Sequence, residues 1–231
     1  MIINKNNFFC VILVIVITGS CTSDSTILFP IKDSLGNIGF IDRQGKVIIA
    51  PQFHESGGFA DGMALVRKNE KFGYIDTKGR QVVTLSFPYA KSFSGGFAVV
   101  GKGEFAGGGK EIPAHGYPPY KFRGKFGFID TSGKQVIECR FGLANDFSCG
   151  LAVIGEGTLY YDVKVVRGCN PYTKTKYGFK GKFGYIDKTG NAVIRPVYEE
   201  AHSFVNGLAL VKLNGKSRYI DNKGNTVWEE K

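Results

Sequence analysis

The chain lacks the short motifs that identify several classes of enzyme. It contains no H-E-x-x-H, no C-x-x-C and no G-x-S-x-G, so the sequence indicates no zinc protease, dithiol site or nucleophilic serine. The glycine-rich residues 101–110 do not form a phosphate-binding loop, because Glu111 stands where serine or threonine would hold magnesium. His54, His115 and His202 fall at unrelated positions of the repeat described below. We therefore expect no catalytic residue, no metal and no cofactor.

Long runs of basic residues are also missing. The formal charge is +10 and the pI is about 9.3, a balance found in proteins that bind nucleic acids, anionic lipids or acidic polysaccharides. Here the lysines and arginines are spread through short segments such as TKGR and TSGK. A dedicated nucleic-acid site usually needs a concentrated basic patch. We therefore expect no nucleic-acid partner and retain a protein or an acidic glycan as the partner.

No hydrophobic run is long enough to span a bilayer. The longest covers residues 8–17, whereas a membrane-spanning helix needs about 20 residues. A short polar start followed by such a run predicts a signal peptide over residues 1–20. Thr18, Gly19 and Ser20 precede Cys21 as in a bacterial lipobox, so we predict a lipid on Cys21, a tether over residues 21–28, and a location in the bacterial cell envelope. The alternatives are cleavage after Ser20 without lipid, or an uncleaved anchor.

Cysteine is too scarce for a disulfide scaffold. Apart from Cys10 and Cys21, the chain contains Cys139, Cys149 and Cys169, and an odd number of thiols cannot pair completely within one chain. Exported proteins meet oxidising conditions, so one bond remains open. Cys139 and Cys149 are close enough in sequence to meet across a turn, but nothing in the repeat pattern requires a thiol at either position.

What the sequence does contain is an internal repeat. The segment KFGYIDTKGRQVV begins at Lys71 and returns at Lys125 and Lys182, with weaker copies near both ends of the chain. A second segment of the form F-x-x-G-x-A recurs in step with it. The repeated aspartates are Asp42, Asp76, Asp130, Asp187 and Asp221, spaced by 34, 54, 57 and 34 residues. A fixed period of 34 residues with two insertions is typical of a repeat architecture.

The composition of the repeat predicts strands. FGYID is rich in aromatic and β-branched residues, and an Asp-x-x-Gly turn follows it, in which aspartate accepts backbone hydrogen bonds and glycine adopts positive φ. The predicted turn glycines are Gly45, Gly79, Gly133, Gly190 and Gly224. We predict an all-β domain over residues 29–231, built from stacked three-stranded meanders. The recurring Ala64, Ala98, Ala152 and Ala209 predict points where adjacent repeats approach closely.

The two ends of the repeat region leave the closure of the array open. The third predicted strand of each repeat is GMALV or its equivalent. The segment before the first FID resembles a lone copy of this third strand, and the last copy, RYIDNKGNTVW, lacks one. The leading strand could complete the trailing repeat and close the array into a ring, which would remove exposed strand edges. An open, curved array is the alternative.

These residues resemble the WG-repeat family of bacteria over about residues 29–228. The D-x-x-G turn and the F-x-x-G-x-A segment match throughout. The tryptophan that names the family is replaced by Phe72, Phe126, Phe183 and, in the first copy, Ile38, while Ser217 and Arg218 replace both named residues in the last. Phenylalanine can fill the same apolar position. The resemblance implies an exported binding or scaffold module without a general catalytic activity.

The two insertions are the candidate binding face. Residues 101–124 and 155–181 extend the same connection and contain nine Lys and Arg against four Asp and Glu, an excess that is half of the chain's formal charge. Equivalent insertions project from one side of a repeat array. The candidate contact residues are Tyr117, Tyr120, Lys121, Arg123, Tyr160, Tyr161, Arg167, Tyr172 and Tyr177.

Three other interpretations remain open from sequence. The insertions could be surface decoration without a ligand, and the whole chain could be a purely structural repeat protein. The third alternative is a hydrolase of envelope polymers, which would require two carboxylates about 10 Å apart or closer in a cleft. The candidate carboxylates are Asp61, Glu104, Glu111 and Asp162.

Overall fold

The computed structural model describes residues 27–105, 122–166 and 172–231, which form five antiparallel sheets in tandem. The all-β prediction is thereby confirmed. None of these three ranges contains a helix long and apolar enough to cross a membrane. The predicted signal peptide and the lipid attachment residue Cys21 lie outside the described residues.

Each sheet is a meander in which consecutive strands pair with each other. Sheet 1 contains β1 (Phe29–Lys32), β2 (Ile38–Ile41) and β3 (Val47–Phe53). Sheet 2 contains β4 (Glu55–Ala60), β5 (Met63–Lys68), β6 (Lys71–Asp76) and β7 (Gln81–Phe87). Sheet 3 contains β8 (Tyr89–Ala90), β9 (Phe97–Phe105), β10 (Phe122–Asp130) and β11 (Gln135–Phe141).

The last two sheets repeat this order of strands. Sheet 4 contains β12 (Leu143–Ser148), β13 (Leu151–Val166), β14 (Tyr172–Ile186) and β15 (Ala192–Tyr198). Sheet 5 contains β16 (Glu200–Ala201), β17 (Ala209–Leu213), β18 (Lys216–Ile220) and β19 (Thr226–Glu229). The chain passes from one sheet to the next through single residues, which are His54, Pro88, Gly142 and Glu199.

The predicted three-stranded meander is present, and sheets 2 to 5 add a fourth strand to it. This extra strand precedes the F-x-x-G hairpin and is only two residues long in β8 and β16. Strand β5, which carries Ala64, pairs with the FGYID strand β6 that follows it. Two consecutive residues of positive φ, Asn69 and Glu70, join these strands, so a tight hairpin holds both in one sheet.

The predicted Asp-x-x-Gly turns are confirmed in all five copies. In the fourth copy, Asp187 accepts the N–H of Gly190 at its carbonyl, and its Oδ1 accepts the N–H groups of Thr189 and Asn191. The Thr189 hydroxyl also donates to this carboxylate and, with the backbone donors, holds the pKa of Asp187 below its usual value. The five turn glycines have φ between 77° and 89°. The repeated aspartates therefore serve the turns.

The core lies between consecutive sheets. Each of four clusters of buried side chains draws its members from two neighbouring sheets. At each interface the aromatic residue at the third position of FGYID contacts the phenylalanine of the next F-x-x-G segment, with ring centroids 4.7 to 5.1 Å apart. The recurring alanines, Ala64, Ala98, Ala152 and Ala209, are at most 1% exposed. They lie at these interfaces, as predicted.

The leading strand completes the first sheet, not the last. Strand β1 pairs with β2 from Phe29 opposite Ile41 to Lys32 opposite Ile38. In the hydrogen-bonded strand order of the described residues, β1 and β19 are edge strands of different sheets. The array is therefore open in its hydrogen bonding, and the pairing that would close a ring is not formed.

Cys139 and Cys149 are free thiols. The Cys139 thiol donates to the Val100 carbonyl at 3.7 Å, and the Cys149 thiol donates to the Phe204 carbonyl at 3.8 Å. Cys169 lies outside the described residues. The pairing of Cys139 with Cys149 across a turn is therefore not formed: one thiol contacts β9 and the other contacts the segment between β16 and β17.

Candidate binding surface

The stack has two edges of different character. The five repeated Asp-x-x-Gly turns and the F-x-x-G turns lie together at one edge, which we call the turn edge. The hairpins that join β1 to β2, β5 to β6, β9 to β10, β13 to β14 and β17 to β18 lie at the opposite edge, the hairpin edge. In sheet 1 this hairpin loop, residues 33–37, is itself an Asp-x-x-Gly turn. In sheets 2 and 5 the hairpin loops are the two-residue turns 69–70 and 214–215, whereas in sheets 3 and 4 they are the two insertions.

The insertions begin and end as strands. In sheet 3 the pairing of β9 with β10 continues without a register shift to Phe105 opposite Phe122. In sheet 4 the pairing of β13 with β14 continues to Val166 opposite Tyr172. The glycine-rich residues 101–105 thus belong to β9, while residues 106–110 lie outside the described part. The described parts of both insertions extend their sheets as β-ribbons.

The bases of the two ribbons, which we call their stems, are built alike: each contains glycines and one phenylalanine. A side chain at Gly103 would lie 2.1 Å from the Arg123 carbonyl oxygen, and one at Gly157 would lie 2.1 Å from the Lys180 carbonyl oxygen. Only glycine fits at such a distance. Phe122 lies against Gly101 and Gly124 in sheet 3, and Phe179 lies against Gly155 and Gly181 in sheet 4.

This shared stem is visible in the sequence, although the repeat comparison missed it. F-x-G-K-F-G occurs at residues 122–127 and again at 179–184, and G-x-G occurs at 101–103 and 155–157. The signal lies inside the segments that interrupt the 34-residue period. An alignment anchored on the aspartates alone therefore passes over it.

The stems of the two ribbons are neighbours. Phe122 is 2% exposed and contacts Tyr89 and Phe126, with ring centroids 5.6 and 5.3 Å away. Leu159 of β13 packs against the same cluster of side chains. Residues of both stems thus share one hydrophobic core, so the ribbons leave the stack side by side.

The described surface of the stems is mainly basic. Five basic and two acidic side chains are exposed on it: Lys102, Arg123, Lys125, Lys180, Lys182, Glu104 and Glu156. An open hollow of about 260 Å³ is lined by residues of sheets 3 and 4, which include Lys125, Arg140 and Glu156. Arg140 donates from Nη2 to the Gly190 carbonyl at 2.8 Å, with its guanidinium 5.0 Å from the Phe141 ring centroid. The surface offers cations at fixed positions.

The structure describes only part of the predicted contact set. Arg123 is exposed on β10, and Tyr160, 40% exposed on β13, lies across Gly178. Tyr161, Tyr172 and Tyr177 belong to β13 and β14 by their backbones, and their side chains lie outside what is described. Tyr117, Tyr120, Lys121 and Arg167 lie outside the described residues.

The candidate carboxylates do not meet where the structure describes them. Asp61 lies at the turn edge, where its Oδ2 accepts the N–H of Gly96 from the next sheet at 2.8 Å. Glu104 lies on the ribbon of sheet 3, at the hairpin edge. Glu111 and the side chain of Asp162 lie outside the described residues. Asp61 therefore links neighbouring turns and does not share a cleft with Glu104.

Comparison with protein families finds the same repeat. Four segments match the family model described as WG containing repeat: residues 38–72, 72–104, 126–159 and 183–216. Together they cover more than half of the chain. No protein in a search of curated proteins matches it.

In three copies, phenylalanine occupies the position of the tryptophan that names the family, and it packs against the core. Phe72 and Phe126 are 5% and 1% exposed, and Phe183 packs against the core between sheets 4 and 5. The gaps between the matched segments, residues 105–125 and 160–182, fall on the two ribbons. The ribbons are therefore additions to the repeat.

Proposed function

Because this chain belongs to the WG containing repeat family, we propose that it is a non-catalytic binding module whose contact surface is the pair of ribbons of sheets 3 and 4. One observation carries the proposal: the same stem is built twice, at the two connections where the chain departs from the matched repeat. Decoration without a role would not require the same glycine and phenylalanine positions in both copies. Segments of this kind, held by a rigid scaffold, often carry binding function.

The charge of the stems favours an anionic partner, which we propose is an acidic glycan or an acidic protein surface of the cell envelope. Lys102, Lys125 and Lys180 are exposed on the stems. Tyr160 adds a rigid aromatic surface with a polar tip, a type of side chain common at binding sites. Affinity should fall with added salt, because exposed charges are screened over about 10 Å at 0.1 M.

The ribbon lysines can be tested against lysines of the turn edge. One variant carries Gln at Lys102, Lys125 and Lys180, and its control carries Gln at Lys78, Lys134 and Lys223, which are exposed in the Asp-x-x-Gly turns. Both lose three positive charges. Binding of a soluble uronic acid polymer, measured by calorimetry at several salt concentrations, should weaken in the ribbon variant and change little in the control. Equal weakening in both variants would show attraction to net charge alone and would contradict a dedicated surface.

We also propose that the protein is exported and held at a bacterial envelope membrane by lipid on Cys21. The proposal is supported by the apolar residues 8–17 and by the small residues before Cys21. Metabolic labelling with a fatty-acid probe should be lost in Cys21→Ala and kept in the control Cys10→Ala. Labelling that survives Cys21→Ala would contradict the lipid anchor without affecting the proposal for the ribbons.

A further inference from the structure

The four internal interfaces of the stack follow one rule. Each sheet has a front face, which contacts the next sheet along the chain, and a back face, which contacts the preceding one. The front face presents an aromatic and an aliphatic side chain, such as Tyr185 and Ile194 of sheet 4, which are 0% and 7% exposed. The back face of the next sheet covers them with an alanine, an isoleucine and the turn glycine, such as Ala209, Ile220 and Gly224 of sheet 5.

The front face of sheet 5 has the same parts, and no other described segment covers it. Tyr219 takes the place of Tyr185, and Trp228, paired with Tyr219 in the ladder, takes the place of Ile194. Their exposed fractions are 42% and 51%. The two rings contact each other with centroids 6.1 Å apart. In the rest of the stack this pair of positions forms the centre of an interface.

The back face of sheet 1 is the opposite end of the same rule. No atom of the described residues lies within 4 Å of the place where a side chain would start at Gly45, whereas the same place at Gly79 lies 2.9 Å from Ile49 of the preceding sheet. Phe29 and Val47 on this face are 44% and 51% exposed. The turn glycines of the other four sheets contact an aliphatic side chain of the preceding sheet, and Gly45 has no such contact among the described residues.

The back face of sheet 1 also differs from the other back faces in the position of its aromatic side chain. Among the described residues sheet 1 has three strands, and nothing described before β1 corresponds to the segment that supplies the covering phenylalanine at the other interfaces, such as Phe59 in sheet 2. Phe29 lies opposite Ile41, the register position that Ala64 holds opposite Ile75. Phe29 therefore places an aromatic ring on the back face of sheet 1, at a position that alanine holds in sheet 2.

We propose that copies of this chain associate head to tail, with the front face of sheet 5 of one copy packed on the back face of sheet 1 of the next. Tyr219 and Trp228 then contact Phe29 and the turn of Gly45, which continues the internal stacking across two molecules. An interface between two different faces leaves one face of each kind free after every addition. Such an assembly extends or closes as a ring, and it does not stop at a symmetric dimer.

A mixing experiment tests the proposal with the full chain in mild detergent. Trp228→Glu disables the front face and Phe29→Glu disables the back face. In sedimentation velocity the unaltered chain should show larger species as concentration rises. Each variant alone should associate at least about tenfold more weakly, because central aromatic residues dominate interface energies. An equimolar mixture of the two should form a one-to-one complex, since it joins one intact front face to one intact back face.

The control is Val197→Glu in sheet 4, which alters a side chain that is 45% exposed and belongs to neither end face. It should associate like the unaltered chain. A monomeric unaltered chain at all concentrations would overturn the proposal. So would a Phe29→Glu variant that still dimerises while Trp228→Glu does not, because that result indicates a symmetric contact between two front faces. A mixture of the variants that stays monomeric would overturn it as well.

Discussion

The turn edge and the hairpin edge of the stack are made by the same repeat and show opposite behaviour. At the turn edge each aspartate carboxylate accepts two or more hydrogen bonds from its own turn, and every copy has the same length. At the hairpin edge the loop has five residues in sheet 1 and two residues in sheets 2 and 5, while in sheets 3 and 4 it extends into a ribbon. The contrast indicates that the turn edge determines the fold, whereas the hairpin connections tolerate insertions.

At the hairpin edge the base of each ribbon is buried, whereas residues further out are exposed. The base of each ribbon belongs to the core, because Phe122 is 2% exposed and Leu159 packs against the same cluster. Further out, Tyr160 is 40% exposed. Substitutions along one ribbon should therefore change from effects on stability to effects on binding within a few residues.

The largest expected effect on stability is at the base of the sheet 3 ribbon. Phe122→Ala should lower the free energy of unfolding by about 3–5 kcal/mol, because it removes a buried ring and leaves a cavity. Tyr160→Ala, the matched change further out on the sheet 4 ribbon, should alter it by less than about 1 kcal/mol. Urea unfolding measures both. Similar losses for the two variants would mean that the ribbon has no boundary between core and surface.

The turn edge should show the next largest effect, and it offers an internal control. Gly79→Val places a β-branched residue at φ of 77° and also against Ile49 of the preceding sheet, whereas Gly45→Val meets only the backbone strain at φ of 82°. Strain of this kind costs about 1–3 kcal/mol. Gly79→Val should therefore destabilise the protein more than Gly45→Val in thermal unfolding. Equal losses would show that the turn glycines contribute nothing to the contact between sheets.

The sequence predicted the turn edge better than the hairpin edge, for a physical reason. An Asp-x-x-Gly turn is closed by hydrogen bonds within five residues, so its pattern is local and repeats in every copy. The fourth strand escaped prediction because two residues such as Glu200 and Ala201 show no periodicity. The exposed pair Tyr219 and Trp228 escaped because exposure depends on which sheet follows, and the repeat pattern is the same in covered and uncovered copies.

The smallest expected effect concerns the charge of the turn aspartates. Burial alone would raise the pKa of Asp76, but hydrogen bonds from the Arg80 side chain and the turn N–H groups outweigh it and lower the pKa. A lowered pKa in the folded state stabilises the protein above pH of about 4, and this contribution is lost as pH falls further. The difference in unfolding midpoint between the unaltered chain and Asp76→Asn should therefore be smaller at pH 3 than at pH 6.

The same variant also tests the assignment of the aspartates to structure. Asp76→Asn should bind the uronic acid polymer as the unaltered chain does. Lost binding with an unchanged melting temperature would indicate that the repeated aspartates form a functional site at the turn edge.

Trimming the ribbons while keeping their bases tests the central claim most directly. Lys68 pairs with Lys71 across a two-residue turn in sheet 2, and Tyr160 pairs with Gly178 at a ladder position of the same parity in sheet 4. Replacing residues 161–177 with Asn-Gly, and residues 107–120 with Asn-Gly for the same parity in sheet 3, should give tight hairpins. Both changes keep Phe122 and Leu159.

In this doubly trimmed chain, the midpoint of urea unfolding and the salt-dependent binding of the uronic acid polymer are measured together. We predict an unfolding midpoint close to that of the unaltered chain and a weaker, less salt-dependent binding, with the remaining affinity due to Lys102, Lys125 and Lys180, which the trimmed chain keeps. A trimmed chain that folds and binds the polymer with unchanged affinity and unchanged salt dependence would contradict the account.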